Sequence, residues 1–132
     1  MRRQARRYAL QSLYSWEINP EADSGLLEEL ITEKAEGNDL SFANSIISRV
    51  KEHQADLDAV ISAHLKRWSL SQLNVVDKNI LRIGLVELLY PSEKTELGVI
   101  IDEAVRLAKE FGGADSYRLV NGILAAIAKE KL

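Results

Sequence analysis

At 132 residues with no cysteine, two prolines and seven glycines, the chain excludes disulfides and thiolate metal sites and favours one all-α domain over many short strands. Its 46% apolar content with only 6% aromatics predicts a core of Leu, Ile, Val and Ala; no apolar run approaches the roughly 18 residues of a membrane span, so a soluble, cytoplasmic protein is expected. The net charge of −3 argues against a general polyanion binder, yet Arg2, Arg3, Arg6 and Arg7 all fall in the first seven positions and leave 13 basic against 20 acidic residues elsewhere, so the charge is segregated.

The first predicted helix runs from about Arg3 to Ile18, with Ala5, Ala9, Leu13 and Trp16 on its buried face and Tyr8 and Ser12 beside it. Arg3, Arg7, Leu10 and Tyr14 form a second, exposed stripe at helical spacing. Guanidinium groups beside an aromatic ring suit RNA, because Arg meets phosphates bidentately and a ring stacks on an unpaired base. A solvated arginine end is the alternative. Cations at a helix N-terminus oppose the helix dipole, a small cost that a bound polyanion would relieve.

Asn19-Pro20 ends this helix and can cap the next. Leu26, Leu27, Leu30 and Ile31 give a short amphipathic helix closing near Gly37, with Glu28, Glu29, Glu33 and Glu36 on a solvated face. From Leu40 to Trp68 the stripe of Phe42, Ile46, Val50, His53, Leu57, Val60, Ile61, His64, Leu65 and Trp68 holds helical phase. One long helix or two nearly collinear ones are implied. Its two histidines are separated by roughly 16 Å at 1.5 Å per residue, too far to share a metal ion, and read as hydrogen-bonded structural groups.

Ser69-Leu70-Ser71-Gln72 resembles a capping box. The helix after it, Asn74 to Tyr90, is apolar on every side and is expected to be the central one. Glu87 falls on its Val76, Ile80, Ile83 stripe, where an unpaired charge would be costly, so it should be paired to a base or to helix-end amides. Asp77 and Lys78, near the start, are expected to remain exposed. Pro91 ends the helix.

The last quarter reads as two helices joined at Gly112-Gly113, where a helix end can use a left-handed glycine. Ile100, Ile101, Ala104, Val105, Leu107, Ala108 and Phe111 line one face of the first. Asp115 suits an N-cap of the second. Asn121-Gly122 is ordinarily a hairpin signal, but helical periodicity runs through it, so helix is predicted. Gly122 lies in a small-and-basic stripe with Arg118, Ala125 and Lys129, which points to a close neighbour, either a helix or a ligand or RNA backbone.

The sum is a compact bundle of six or seven helices in a single domain spanning 1–132. There is no glycine-rich phosphate loop, nucleophile elbow, His-Glu zinc motif or cysteine nucleophile. Neither a catalytic residue nor a cofactor is expected, and a binding module is favoured over an enzyme.

Four segments together are similar to the NusB family: A-R-R-Y-A-L-Q-S-L-Y-S-W near the start, W-S-L-S-Q-L, V-V-D-K-N-I-L-R-I-G-L-V-E-L-L, and D-E-A-V-R-L-A-K-E-F-G followed by D-S-Y-R-L-V-N-G-I-L. The resemblance implies two small helical subdomains and an RNA-binding factor that recognises boxA of ribosomal RNA leader transcripts together with NusE, a small-subunit ribosomal protein. That assembly helps RNA polymerase read through terminators. Carried onto this chain, the RNA surface would comprise Arg2, Arg3, Arg6 and Arg7 with Asp115 and Arg118, and the NusE side would lie at Asp77 and Lys78. Leu119 departs from the Phe that many members carry before Val-Asn-Gly; Tyr117 is nearby. Asp102 and Val86 depart as well, without consequence for the fold. Two alternatives are a NusB-like domain of a ribosomal RNA cytosine methyltransferase, disfavoured by the lack of a downstream catalytic domain, and a protein-binding module such as a homodimer without RNA affinity.

Overall fold

The structure is a computed structural model that describes residues 2–20 and 37–131. Among the described residues it is all-α: α1 Arg2–Ile18, α2 Gly37–Ala63, a 3-10 turn Leu70–Gln72, α3 Val75–Leu89, α4 Leu97–Phe111 and α5 Ser116–Lys131. The all-α bundle expected from sequence is therefore found, with five helices among the described residues. The helix predicted around Leu26 to Ile31 lies outside the described residues.

α3 is the axis of the molecule. α1 packs on α2 and α4 packs on α5, while α3 touches all four. Its Ile80, Leu81, Ile83, Leu85 and Val86 are buried, as an all-round apolar helix requires. At Gly84 α5 comes close: a Cβ there would sit 2.9 Å from Leu124 Cδ1, so the Leu124 side chain would have to shift. Asn74 caps α3 by accepting the Asp77 N–H at 2.7 Å. At the other end Arg49 of α2 donates to the Tyr90 carbonyl at 2.6 Å, and His53 stacks on the Tyr90 ring at 3.8 Å. Burial lowers the Arg49 pKa, but a guanidinium stays charged and so serves the carbonyls orphaned at a helix end.

Three expectations are corrected. α2 stops at Ala63, because the His64 and Leu65 amides turn to the Ile61 and Ser62 carbonyls and tighten the last turn. Helical phase therefore does not carry to Trp68, which is 57% exposed. No described glycine has positive φ; Gly112 is required instead by the closeness of Ser116, whose Oγ would lie 2.6 Å from a Cβ. α5 runs unbroken through Asn121-Gly122, yet a Cβ at Gly122 would meet nothing within 4 Å. The close neighbour expected there is not present among the described residues, and Arg118, Gly122, Ala125 and Lys129 are exposed.

Candidate nucleic-acid interface

The four arginines of α1 divide into two sets. Arg6 is only 4% exposed, in the helical stripe it shares with Leu10 and Leu13. Its guanidinium donates to both oxygens of Glu87, at 2.6 and 2.9 Å. This supplies the partner expected for Glu87. It also removes Arg6 from any RNA surface, and Leu10, expected on the exposed stripe, is buried with it. The buried face is centred further toward Arg6 than the apolar residues alone indicate.

Arg2, Arg3 and Arg7 remain at the surface. Arg2 pairs with Glu93 at 2.8 Å and lies 4.1 Å above the Phe42 ring. Arg3 donates to Glu103 of α4 from Nη2 at 3.1 Å and from Nε to both carboxylate oxygens at 3.2 and 3.3 Å, which raises its pKa further. Arg7 pairs with Glu110 at 2.7 Å beside Phe111, and its Nε has no hydrogen-bond partner among the described residues. α1 and α4 thus meet chiefly through long side chains. The basic edge runs from the α3–α4 loop to the last turn of α4.

Beyond that turn stand Asp115 and Arg118, both highly exposed and 3.9 Å apart. The Asp115 side chain bonds no amide of the following turn, contrary to the capping role expected; Ser116 Oγ instead accepts the Gly113 N–H at 2.9 Å. Tyr117 is engaged elsewhere, its hydroxyl accepting from Arg118 Nε at 2.9 Å and its ring lying under Lys109.

Between the 3-10 turn and the start of α5 lies a groove of about 370 Å³, whose lining includes Trp68, Leu73, Asn74, Asp77, Asp115 and Leu119. Asp77 is not exposed as predicted but 6% accessible. Its Oδ2 accepts from Asn74 Nδ2 at 3.2 Å, while Oδ1 is buried and finds no partner among the described residues. Lys78 is also withdrawn, because its ammonium pairs with Glu17 of α1 at 2.7 Å. Glu17 further accepts from buried Arg82, which clasps Asp58 of α2 at 2.8 and 3.0 Å. Burial alone would raise the Glu17 carboxyl, but the hydrogen bonds from Lys78 and Arg82 outweigh it and hold it low. Burial likewise opposes the Arg82 charge, and Asp58 and Glu17 more than offset it.

Tyr14 and Ile18 are exposed at i, i+4 on α1 around Glu17. Tyr14 is therefore two turns from Arg7 and next to the Lys78 side. The groove and the Arg82 network were missed in the sequence. An arginine inside the all-round apolar I-L-R-I run is the signal that would have flagged the network, whereas the groove joins segments distant in sequence and had none.

A bundle that gathers three arginines on one edge, and two carboxylates with an indole in a neighbouring groove, defines a helical binding module. Over residues 3–129 the chain matches the NusB family. It is 40% identical to the transcription antitermination protein NusB of Elusimicrobium minutum, over 98% of this chain and 94% of that one. Among solved structures it is similar to T. maritima NusB, with 37% identity, a TM-score of 0.89, and 98% and 92% of the two chains covered. It is also similar to a chain in a complex of the antitermination factors NusB and NusE with double-stranded RNA, with 30% identity, a TM-score of 0.85, and 98% and 96% covered. The chain belongs to the NusB family.

Proposed function

We propose that this protein is a transcription antitermination factor that binds boxA RNA of ribosomal RNA leader transcripts together with NusE, as one domain and in the cytoplasm, and helps RNA polymerase pass terminators. It acts by binding rather than by catalysis. The observation that carries this reading is the edge of Arg2, Arg3 and Arg7 leading to the exposed Asp115 and Arg118. These arginines are themselves partly or largely exposed and are held by the exposed Glu93 and Glu110 and the half-buried Glu103, and pairs open to solvent contribute little net stability. Glu93, Glu103 and Glu110 can therefore be exchanged for phosphate oxygens at small cost, with bidentate geometry available from each guanidinium. Phosphate contacts position the RNA, while Asp115 and nearby backbone contact unstacked bases.

For NusE, the side of Tyr14 and Ile18, next to the half-buried Glu17–Lys78 pair, is the better-supported surface, since it presents exposed apolar groups. The acidic body then complements a basic protein without competing for the arginine edge.

The test is a salt titration of binding to a boxA-like single-stranded RNA and to a scrambled control, with and without NusE. Tighter, salt-sensitive binding to boxA, strengthened by NusE, is the expected result. Equal or absent binding to both RNAs in all conditions would reject it.

A further inference from the structure

We infer that Lys109 and Arg118, both set against the ring of Tyr117, form an RNA phosphate site that joins the α1 arginines to the start of α5. The inference rests on the RNA-binding reading above and adds to it a contact residue, Lys109, and a positioning residue, Tyr117.

The cations of this edge differ in how they are neutralised. Arg2, Arg3 and Arg7 each hold a carboxylate within 3.1 Å, which a phosphate must displace. Lys109 is exposed and, among the described residues, has no carboxylate at ion-pair distance; its contact is the Tyr117 ring, whose centroid lies 5.3 Å from Nζ. Arg118 is 73% exposed and stands 3.9 Å from an Asp115 that is 86% exposed, a pairing of little strength in water. Among the described residues its terminal nitrogens make no hydrogen bond. Two neighbouring cations that no carboxylate closely neutralises concentrate a positive potential, and a bound anion relieves their repulsion.

Tyr117 holds the two together. Its ring lies within about 6 Å of both, where an aromatic face attracts ammonium and guanidinium alike. Its hydroxyl accepts from Arg118 Nε at 2.9 Å, which orients the guanidinium and leaves the terminal nitrogens for another acceptor. The ring itself packs against the core. Two long side chains held on a fixed ring lose less freedom when a ligand binds.

The place of Lys109 in the chain makes it the link. It precedes Glu110, which holds Arg7 at 2.7 Å, and it reaches across to Tyr117, the neighbour of Arg118. The last turn of α4 therefore carries positive charge from the α1 arginines over to α5. An RNA strand that touches both Arg7 and Arg118 has Lys109 beside its path. An ammonium meets phosphate as a point charge and reads no base.

The test is a set of salt titrations of the full chain, without NusE, on the boxA-like RNA and the scrambled control, with melting curves alongside. Lys109→Ala should weaken binding to both RNAs by the same factor of a few-fold and flatten the slope of log K against log salt by about 0.7. The boxA preference and the melting curve should not change. Lys109→Arg should keep the affinity of the wild-type chain. Lys51→Ala takes an equal charge from another ring, that of Trp16 at 4.7 Å, and as the control should bind as wild type does. Tyr117→Phe keeps the ring and should retain the Lys109 contribution. Tyr117→Leu should weaken binding in the wild-type chain and have little further effect once Lys109 and Arg118 are both Ala.

If the wild-type chain selects boxA but Lys109→Ala binds both RNAs unchanged, the site is wrong and the antitermination reading survives. An equal loss in Lys51→Ala reduces the effect to net charge and overturns the site. A loss confined to boxA makes Lys109 a base contact and overturns its assignment to phosphate. A Tyr117→Leu loss that persists without Lys109 and Arg118 makes the ring itself a contact and removes its positioning role. Equal binding of both RNAs, still weakened by Lys109→Ala, defeats the boxA reading and leaves the phosphate site standing.

Discussion

Arg6 and Arg7 are adjacent in sequence and opposite in environment. One step around α1 places Arg6 in the interior, doubly bonded to Glu87, and Arg7 at the surface, singly paired with Glu110. Taking a guanidinium out of water costs several kcal/mol, which is offset only when a carboxylate meets it with good geometry. The interior pair therefore fixes where α1 lies on α3, while the surface pairs hold arginines in place without committing them. Function is expected to use the second set.

The largest effect that separates the two is on stability. Arg6→Ala strands Glu87 as an unpaired buried charge and should cost about 3–5 kcal/mol. That corresponds to a melting temperature lowered by on the order of 10 °C for a domain of this size. Replacing both partners, Arg6→Met with Glu87→Leu, should recover most of the loss, since a packed apolar pair needs no desolvation offset. Thermal unfolding of the three chains decides it; a single variant that melts like wild type would show that the buried pair does not anchor the helix.

Arg3→Ala with Arg7→Ala should do the reverse. Melting should barely change, whereas RNA affinity should fall and the slope of log K against log salt should flatten by about 0.7 per lost phosphate contact on a single strand. A smaller effect of opposite sign is expected on the partner side. Glu103→Gln with Glu110→Gln removes the carboxylates that compete with phosphate for Arg3 and Arg7 and should tighten RNA binding a few-fold. Unchanged or weaker binding would mean that these glutamates order the arginines rather than compete for them.

How much of this was legible in the sequence depends on what each residue is measured against. The unbroken α5 and the central position of α3 follow from periodicity, a property of the segment itself. The pairing of Glu87 was also legible, because a charge on an apolar stripe must be answered. Its partner was not, since Arg6 resembles Arg7 until α1 is laid on α3. The same limit applies to Asp77 and Lys78, which look like two exposed charges in a first turn. Glu17 arrives from α1 and takes one, and the α5 start closes a groove over the other. Trp68 failed in the opposite direction: periodicity carried it into a helix that ends five residues earlier.

A third kind of pair lies between these extremes and should show itself only with pH. His64, at the end of α2, donates from Nδ1 to the Val60 carbonyl at 2.9 Å and meets Glu130 of α5 through Nε2 at 2.7 Å. The Val60 carbonyl, followed by Glu130, raises its pKa above the ordinary 6.5, while partial burial and nearby Lys131 oppose the rise. A folded-state pKa above the unfolded one means that the charged form stabilises the fold. That contribution is complete below the unfolded value and disappears as pH rises through the folded value. Glu17 has the opposite sign: its lowered pKa gives stability above the carboxylate range that is lost on acidification. His64→Gln should therefore melt slightly below wild type at about pH 5.5, by roughly 1–3 °C given the exposure of Glu130, and match it above about pH 8. A difference that stays constant with pH would reduce His64 to a neutral hydrogen-bonded side chain, and the link between α2 and α5 would owe nothing to its charge.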